Sequence, residues 1–121
     1  MKKKVLTVDD SRTMREMVSF TLRGAGFDVV EANDGQQALV VLASHKVDLI
    51  LADLNMPNMD GITLVRELRL LPQYKGVPLL VLTTDASSER KNEGRAAGAT
   101  GWIVKPFNPE RLLETVQKVL R

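Results

Sequence analysis

The sequence predicts an α/β fold, a doubly wound five-stranded parallel sheet with helices on both faces. Three observations lead there. Short apolar runs alternate with amphipathic stretches along the chain. Four of the five runs are near-continuous in apolar residues, as strands buried on both faces must be. The strand-then-helix unit repeats five times, and right-handed crossovers turn such repeats into one sheet between two helix layers. The strand order expected for this arrangement is 2-1-3-4-5, with ligands at the carboxyl ends of the strands.

The first strand is Val5-Leu6-Thr7-Val8, which ends in acids. Met14, Val18 and Leu22 recur at helical spacing after it, and Gly24 and Gly26 mark the stop. Residues 27–32 carry Val29-Val30 as the second strand, and Asn33-Asp34-Gly35 opens a helix with Ala38, Leu39 and Leu42 inward. Residues 47–52 form the third strand, followed by a helix from Gly61 with Leu64, Leu68 and Leu71 on one stripe. Residues 77–82 form the fourth. The helix over residues 87–97 is the weakest, being poor in apolar residues and carrying Gly94 in its interior. Residues 101–104 form the fifth strand. The last helix starts at Asn108 as N-cap with Pro109 in its first turn, and buries Leu112, Leu113, Val116, Val119 and Leu120.

The 121 residues, 44% hydrophobic and 26% charged, fit one domain over residues 1–121. No apolar run is long enough to span a membrane. The start Met1-Lys2-Lys3-Lys4 resembles the basic end of a signal peptide, but Val5–Val8 is too short for its apolar core and acids follow at once. A cytoplasmic location is expected. There are no cysteines, hence no disulfides or thiolate metal sites. The net charge of +2 comes from intermixed signs and gives no nucleic-acid footprint. No room is left after the last helix for a DNA-binding module, so any output is expected from the domain's own surface. A monomer that binds neither nucleic acid nor membrane is the expectation.

Chemistry is concentrated at the strand ends. The first strand ends in Asp9-Asp10, the third in Asp53, the fourth in Thr83-Thr84 and the fifth in Lys105-Pro106. In a parallel sheet these ends share one edge. Carboxylates gathered there repel one another unless one keeps its proton or a cation intervenes. Mg²⁺ takes oxygen ligands and is held by one or two carboxylates with phosphate oxygens. No His or Cys cluster competes, since the single histidine, His45, closes the second helix. Lys105 and the metal would offset an incoming phosphoryl group, Thr83 offers it a hydroxyl, and a carboxylate is a competent nucleophile for its transfer. Each residue has a plainer reading: Asp10 or Ser11 as a helix cap, Asp53 as a turn residue, Thr83 as strand filling, Lys105 as a solvated cation. Together the plain readings require several unrelated coincidences at one edge.

Val8-Asp9-Asp10-Ser11, Asp53-Leu54-Asn55-Met56-Pro57-Asn58-Met59-Asp60-Gly61, Thr83-Thr84 and Val104-Lys105-Pro106-Phe107 resemble, in order and spacing, the signature of response-regulator receiver domains, which share the flavodoxin-like arrangement. The likeness covers essentially the whole chain. The Asp9-Asp10-Ser11-Arg12-x-Met14-Arg15 start and the length are most similar to the stand-alone chemotaxis receivers. The resemblance implies two-component signalling. Asp53 would accept a phosphoryl group from a histidine kinase. Asp10, Asp53 and the backbone carbonyl of Asn55 would hold Mg²⁺, with Asp9 acting mainly through water. Lys105 would pair with the phosphoryl group and Thr83 would be the switch hydroxyl. A cis bond is expected before Pro106, and Met56-Pro57 and Gly61 would shape the loop after the acceptor. Such a domain is no enzyme toward other molecules, catalysing only its own phosphorylation and dephosphorylation.

The family's switch aromatic, ordinarily Tyr or Phe, falls at Trp102, which has core filling as its alternative. Asn55 and Asp85 stand where the family tunes autodephosphorylation; both are small and polar, and a short-lived phosphoryl group is expected. The partner face would be the fourth helix, the fifth strand and the fifth helix, where Arg90, Lys91, Arg95, Arg111 and Lys118 lie. The flagellar motor switch is the candidate target, with a phosphatase as a further partner. A phosphate sink or a regulator outside motility would have the same sequence. A binding module that had lost the chemistry would lack an acid, the Thr or the Lys, and none is missing. A haloacid-dehalogenase-type phosphatase needs a second Asp at position 55. A flavin binder needs a hydroxyl- and glycine-rich loop where Asp9-Asp10 stand.

Overall fold

The computed structural model describes residues 2–85 and 87–120. Among the described residues five strands and five α-helices alternate: β1 (Lys4–Val8), α1 (Arg12–Gly24), β2 (Asp28–Ala32), α2 (Gly35–Ser44), β3 (Leu49–Asp53), α3 (Gly61–Arg69), β4 (Leu79–Thr83), α4 (Ser88–Ala97), β5 (Gly101–Val104) and α5 (Pro109–Val119). A single 3₁₀ turn, Pro72–Tyr74, lies between α3 and β4. All pairings are parallel, in the order β2-β1-β3-β4-β5. The predicted fold class and strand order are those observed.

Side chains alternate across the sheet, so each strand feeds two cores. Leu6, Val8, Ile50, Ala52, Leu79 and Val81 pack with Ala38 and Leu42 of α2 and with Ile62, Leu64, Val65 and Leu68 of α3. Val5, Leu49, Leu51, Leu80, Leu82 and Ile103 pack with Val18 and Leu22 of α1 and with Leu112 and Val116 of α5. β3 and β4 are buried at every position, which is why their sequences show no polar alternation.

Every α-helix follows a strand's carboxyl end and has a side-chain cap. Ser11, Asp34, Asp60, Ser87 and Asn108 accept from Met14, Gln37, Thr63, Arg90 and Arg111 backbone N–H groups. β2, β3 and β4 begin one or two residues later than the sequence suggests, and the last two run on through Asp53 and Thr83. Val47 and Val77 supply apolar packing below the ladder without joining it. α3 ends at Arg69, so Leu71 packs from the following turn rather than from the helix.

The amino ends of the strands are tied by two side chains. The Arg69 guanidinium donates to the carbonyls of Tyr74, Val77 and Gly98, joining the ends of α3 and α4 to the approach to β4. The Tyr74 hydroxyl donates to the carbonyls of Leu42 and His45 at the end of α2. Burial lowers the Arg69 pKa and raises that of Tyr74.

Candidate functional site

The carboxyl edge of the sheet gathers the predicted acids. One carboxylate oxygen from each of Asp9, Asp10 and Asp53 lies within 4.8 Å of the others. Asp9 and Asp53 are buried and Asp10 is exposed. Asp9 is fixed on three sides: its N–H donates to the Ala32 carbonyl, its Oδ1 accepts from the Ser11 N–H at 2.9 Å, and its carbonyl accepts from Arg15 at 2.7 Å. Arg15 is itself held by Glu31 at 3.0 Å. It belongs to the motif at the chain's start, but its hold on the acidic loop shows only in the structure.

Lys105 enters from β5. Its Nζ stands 2.8 Å from Asp53 Oδ1 and 3.6 Å from Asp9 Oδ2. Its own N–H donates to the Thr83 carbonyl at 2.7 Å, which links the ends of β4 and β5. The Lys105-Pro106 bond is cis, as expected. Burial raises the Asp53 pKa; the hydrogen bond from Lys105 opposes this, and the charges of Asp9 and Asp10 add to the rise.

This donor set suits a hard divalent cation. It is all oxygen, and three carboxylates facing one ammonium leave it net negative. His45, exposed beyond α2, contributes nothing to it. Asn55, two residues past Asp53, lies exposed in the loop.

Gly61 starts α3 directly beneath the acceptor. A Cβ there would stand 2.6 Å from the Asp53 carbonyl oxygen and 3.1 Å from the Leu54 Cα. The Gly61 N–H donates to the Leu54 carbonyl at 2.8 Å, which closes the loop between them. Within that loop Asn58 has positive φ and donates through Nδ2 to Asp34. Met59 occupies the space over Gly35, where a Cβ would meet its sulfur at 2.8 Å.

Thr83 is buried at the end of β4, and its Oγ1 accepts from the Asp85 N–H at 3.0 Å. Asp85 has two further bonds. Its carbonyl accepts from Trp102 Nε1 at 3.1 Å, and its Oδ1 accepts from the Ser87 N–H at 2.9 Å. The bond from Ser87 holds its carboxyl pKa low. Asp85 is therefore a junction between Thr83, Trp102 and the cap of α4, a role that no sequence motif signals. Arg90, in the first turn of α4, reaches Glu93 at 2.8 Å and Asp60 at 3.9 Å. The structure thus brings Asp9, Asp10, Asp53 and Lys105 together and sets Thr83 beside them. Trp102 stands off, linked to Thr83 through Asp85.

Known proteins resemble this chain over most of its length. The model of the response regulator receiver domain matches residues 5–117. The Pseudomonas aeruginosa chemotaxis protein CheY is 40% identical over 117 residues, covering 96% of this chain and 94% of CheY. The structure of Vibrio cholerae CheY4 superposes with a TM-score of 0.97 at 52% identity, over 99% of this chain and 100% of that one. The Mycobacterium tuberculosis DNA-binding response regulator MtrA is 39% identical over all of this chain, which spans 52% of MtrA. With the family model matching residues 5–117 and a relative 40% identical over 96% of the chain, this chain belongs to the response-regulator receiver family.

Proposed function

We propose that this receiver takes a phosphoryl group on Asp53 from a histidine kinase, with Mg²⁺ held by Asp10, Asp53 and the Asn55 carbonyl and by Asp9 mainly through water. One observation carries the reading: three carboxylates within 4.8 Å of one another, with the Lys105 ammonium 2.8 Å from the acceptor. Bound there, the cation would neutralise the acids and the phosphate oxygens as charge builds in the transition state. Lys105 engages one oxygen of Asp53 and leaves the other for phosphorus. That oxygen forms the new P–O bond, the donor's bond to phosphorus breaks with its electrons, and the leaving group takes up a proton. The product is an acyl phosphate. Lys105 then turns to the phosphoryl oxygens, and Thr83 gives up its bond with Asp85 to donate its hydroxyl to them. Asn55 and Asp85 leave water a route to the acyl phosphate, so it is short-lived. The chain acts on itself alone and turns over no other substrate.

The near full-length likeness to CheY and CheY4 favours a cytoplasmic chemotaxis regulator. It would be loaded by a CheA-like kinase, read by the flagellar motor switch through the face of α4, β5 and α5, and reset by a phosphatase. MtrA carries the same domain to DNA, so a role outside motility is the alternative. In the described residues no helix is long and apolar enough to cross a membrane.

The test is intact mass after incubation with Mg²⁺ and acetyl phosphate, beside Asp53→Ala and a chelated sample. One added phosphoryl group, lost in both controls, is expected. A folded wild type that gains none would overturn the reading in favour of a binding module.

A further inference from the structure

Trp102, the single tryptophan of the chain, is held at two points. Its indole N–H donates to the Asp85 carbonyl at 3.1 Å. Its six-membered ring fills the space over Gly94 in α4, where a Cβ would stand 2.6 Å from Cζ3 and 3.2 Å from Cε3. Gly94 is the buried residue of α4 and costs it helix propensity; the ring accounts for that glycine. Trp102 also packs against the core on the α2–α3 side of the sheet. Leaving its place would mean breaking the hydrogen bond and emptying the seat on Gly94 together.

Resting on the phosphoryl-acceptor reading above, we propose that Trp102 is a fixed positioning residue rather than a moving aromatic. It stays seated on Gly94 and bonded to Asp85 whether or not Asp53 is loaded. Thr83 frees its hydroxyl from the Asp85 N–H, while the indole keeps hold of the Asp85 carbonyl. What changes on loading is the bond between Thr83 and Asp85 and, through it, the cap of α4. The aromatic on the face of α4, β5 and α5 keeps one position in both states.

With one tryptophan, the ring's exposure is read directly. Acrylamide quenching of the full chain would be measured with Mg²⁺ alone and with Mg²⁺ plus beryllium fluoride, which mimics a phosphoryl group on a carboxylate. Intact mass with acetyl phosphate would report loading separately. The quenching constant is expected to be the same in both states, with one unchanged indole N–H resonance. A constant that rises on loading, or an indole resonance that becomes exposed to exchange, overturns the proposal.

The seat itself is tested without phosphate. Gly94→Ala is expected to raise the quenching constant and lower Tm, and the loss of Tm should vanish when Trp102→Phe is also present. Equal loss with and without Trp102 overturns the seat. A wild type that fails to load by mass overturns the acceptor reading together with the claim about the loaded state, while this cycle still decides whether Gly94 seats the ring.

Discussion

Gly61→Ala would set a carbon against the acceptor's own backbone. The added Cβ would lie 2.6 Å from the Asp53 carbonyl oxygen, against the 3.4 Å at which ordinary contact begins, an overlap of about 0.8 Å. Neither side yields easily. Asp53 is paired with Leu82 of β4, and the Gly61 N–H is bonded to the Leu54 carbonyl at 2.8 Å. Overpacking of this kind costs about 1–3 kcal/mol. For 121 residues the unfolding entropy is about 0.25 kcal/mol per kelvin, so Tm should fall by about 4–12 °C. Gly76→Ala is the control, because a Cβ there meets nothing within 4 Å. Both changes remove a glycine from the unfolded chain, so the difference between the two variants isolates the overlap. The same displacement moves Asp53 relative to Lys105, and loading by acetyl phosphate should slow about ten- to a hundredfold. Calorimetry and timed intact mass read the two effects. A Gly61→Ala protein that melts with Gly76→Ala and loads at the wild-type rate would refute the close approach.

Asp53→Asn should stabilise the metal-free protein. Because the folded pKa of Asp53 is raised, chiefly by burial, its ionised form is disfavoured in the fold. Wild-type stability relative to Asp53→Asn is therefore highest below the ordinary carboxylate pKa and falls as pH rises through the raised one. Urea midpoints across that window check the sign, and a gap that narrows with rising pH would contradict it. Mg²⁺ should raise the Tm of the wild type and do so much less for Asp10→Asn, as thermal shifts in a metal titration would show. Arg69→Met, which strips the donor from three carbonyls, should cost about 2–4 kcal/mol in denaturant unfolding and leave the loading rate unchanged. Tyr74→Phe should cost about 1–2 kcal/mol by the same measurement, through the carbonyls of Leu42 and His45.

The sheet was readable because four of the five strands are short and near-continuously apolar and each strand is followed by a capped helix, so local signals agreed with the final packing. The acidic cluster was readable because topology alone brings strand ends to one edge. Strand limits shifted where apolar residues such as Val47 and Val77 serve the core without pairing, since burial and pairing are different demands. Arg69, Tyr74 and Arg15 went unseen as organisers because each serves backbone carbonyls, which no residue pattern announces. Gly94 was visible only as a weakness of α4. Its reason lies in the ring of Trp102, eight positions further along the chain.

Arg69 and Tyr74 also divide the molecule's work by edge. At the amino ends of the strands, two side chains with buried atoms join α2, α3 and α4 to the approach to β4. At the carboxyl ends, each helix starts on a short polar cap, beside the ion pairs of Arg15 and Lys105. Local opening should begin at the carboxyl edge, beside Asp53, while the amino edge still holds, and backbone hydrogen exchange should rank the two edges in that order. Sequence change can then accumulate in the loops around Asp53, altering lifetime and partner, without loosening the clasp that keeps the sheet and helices in register.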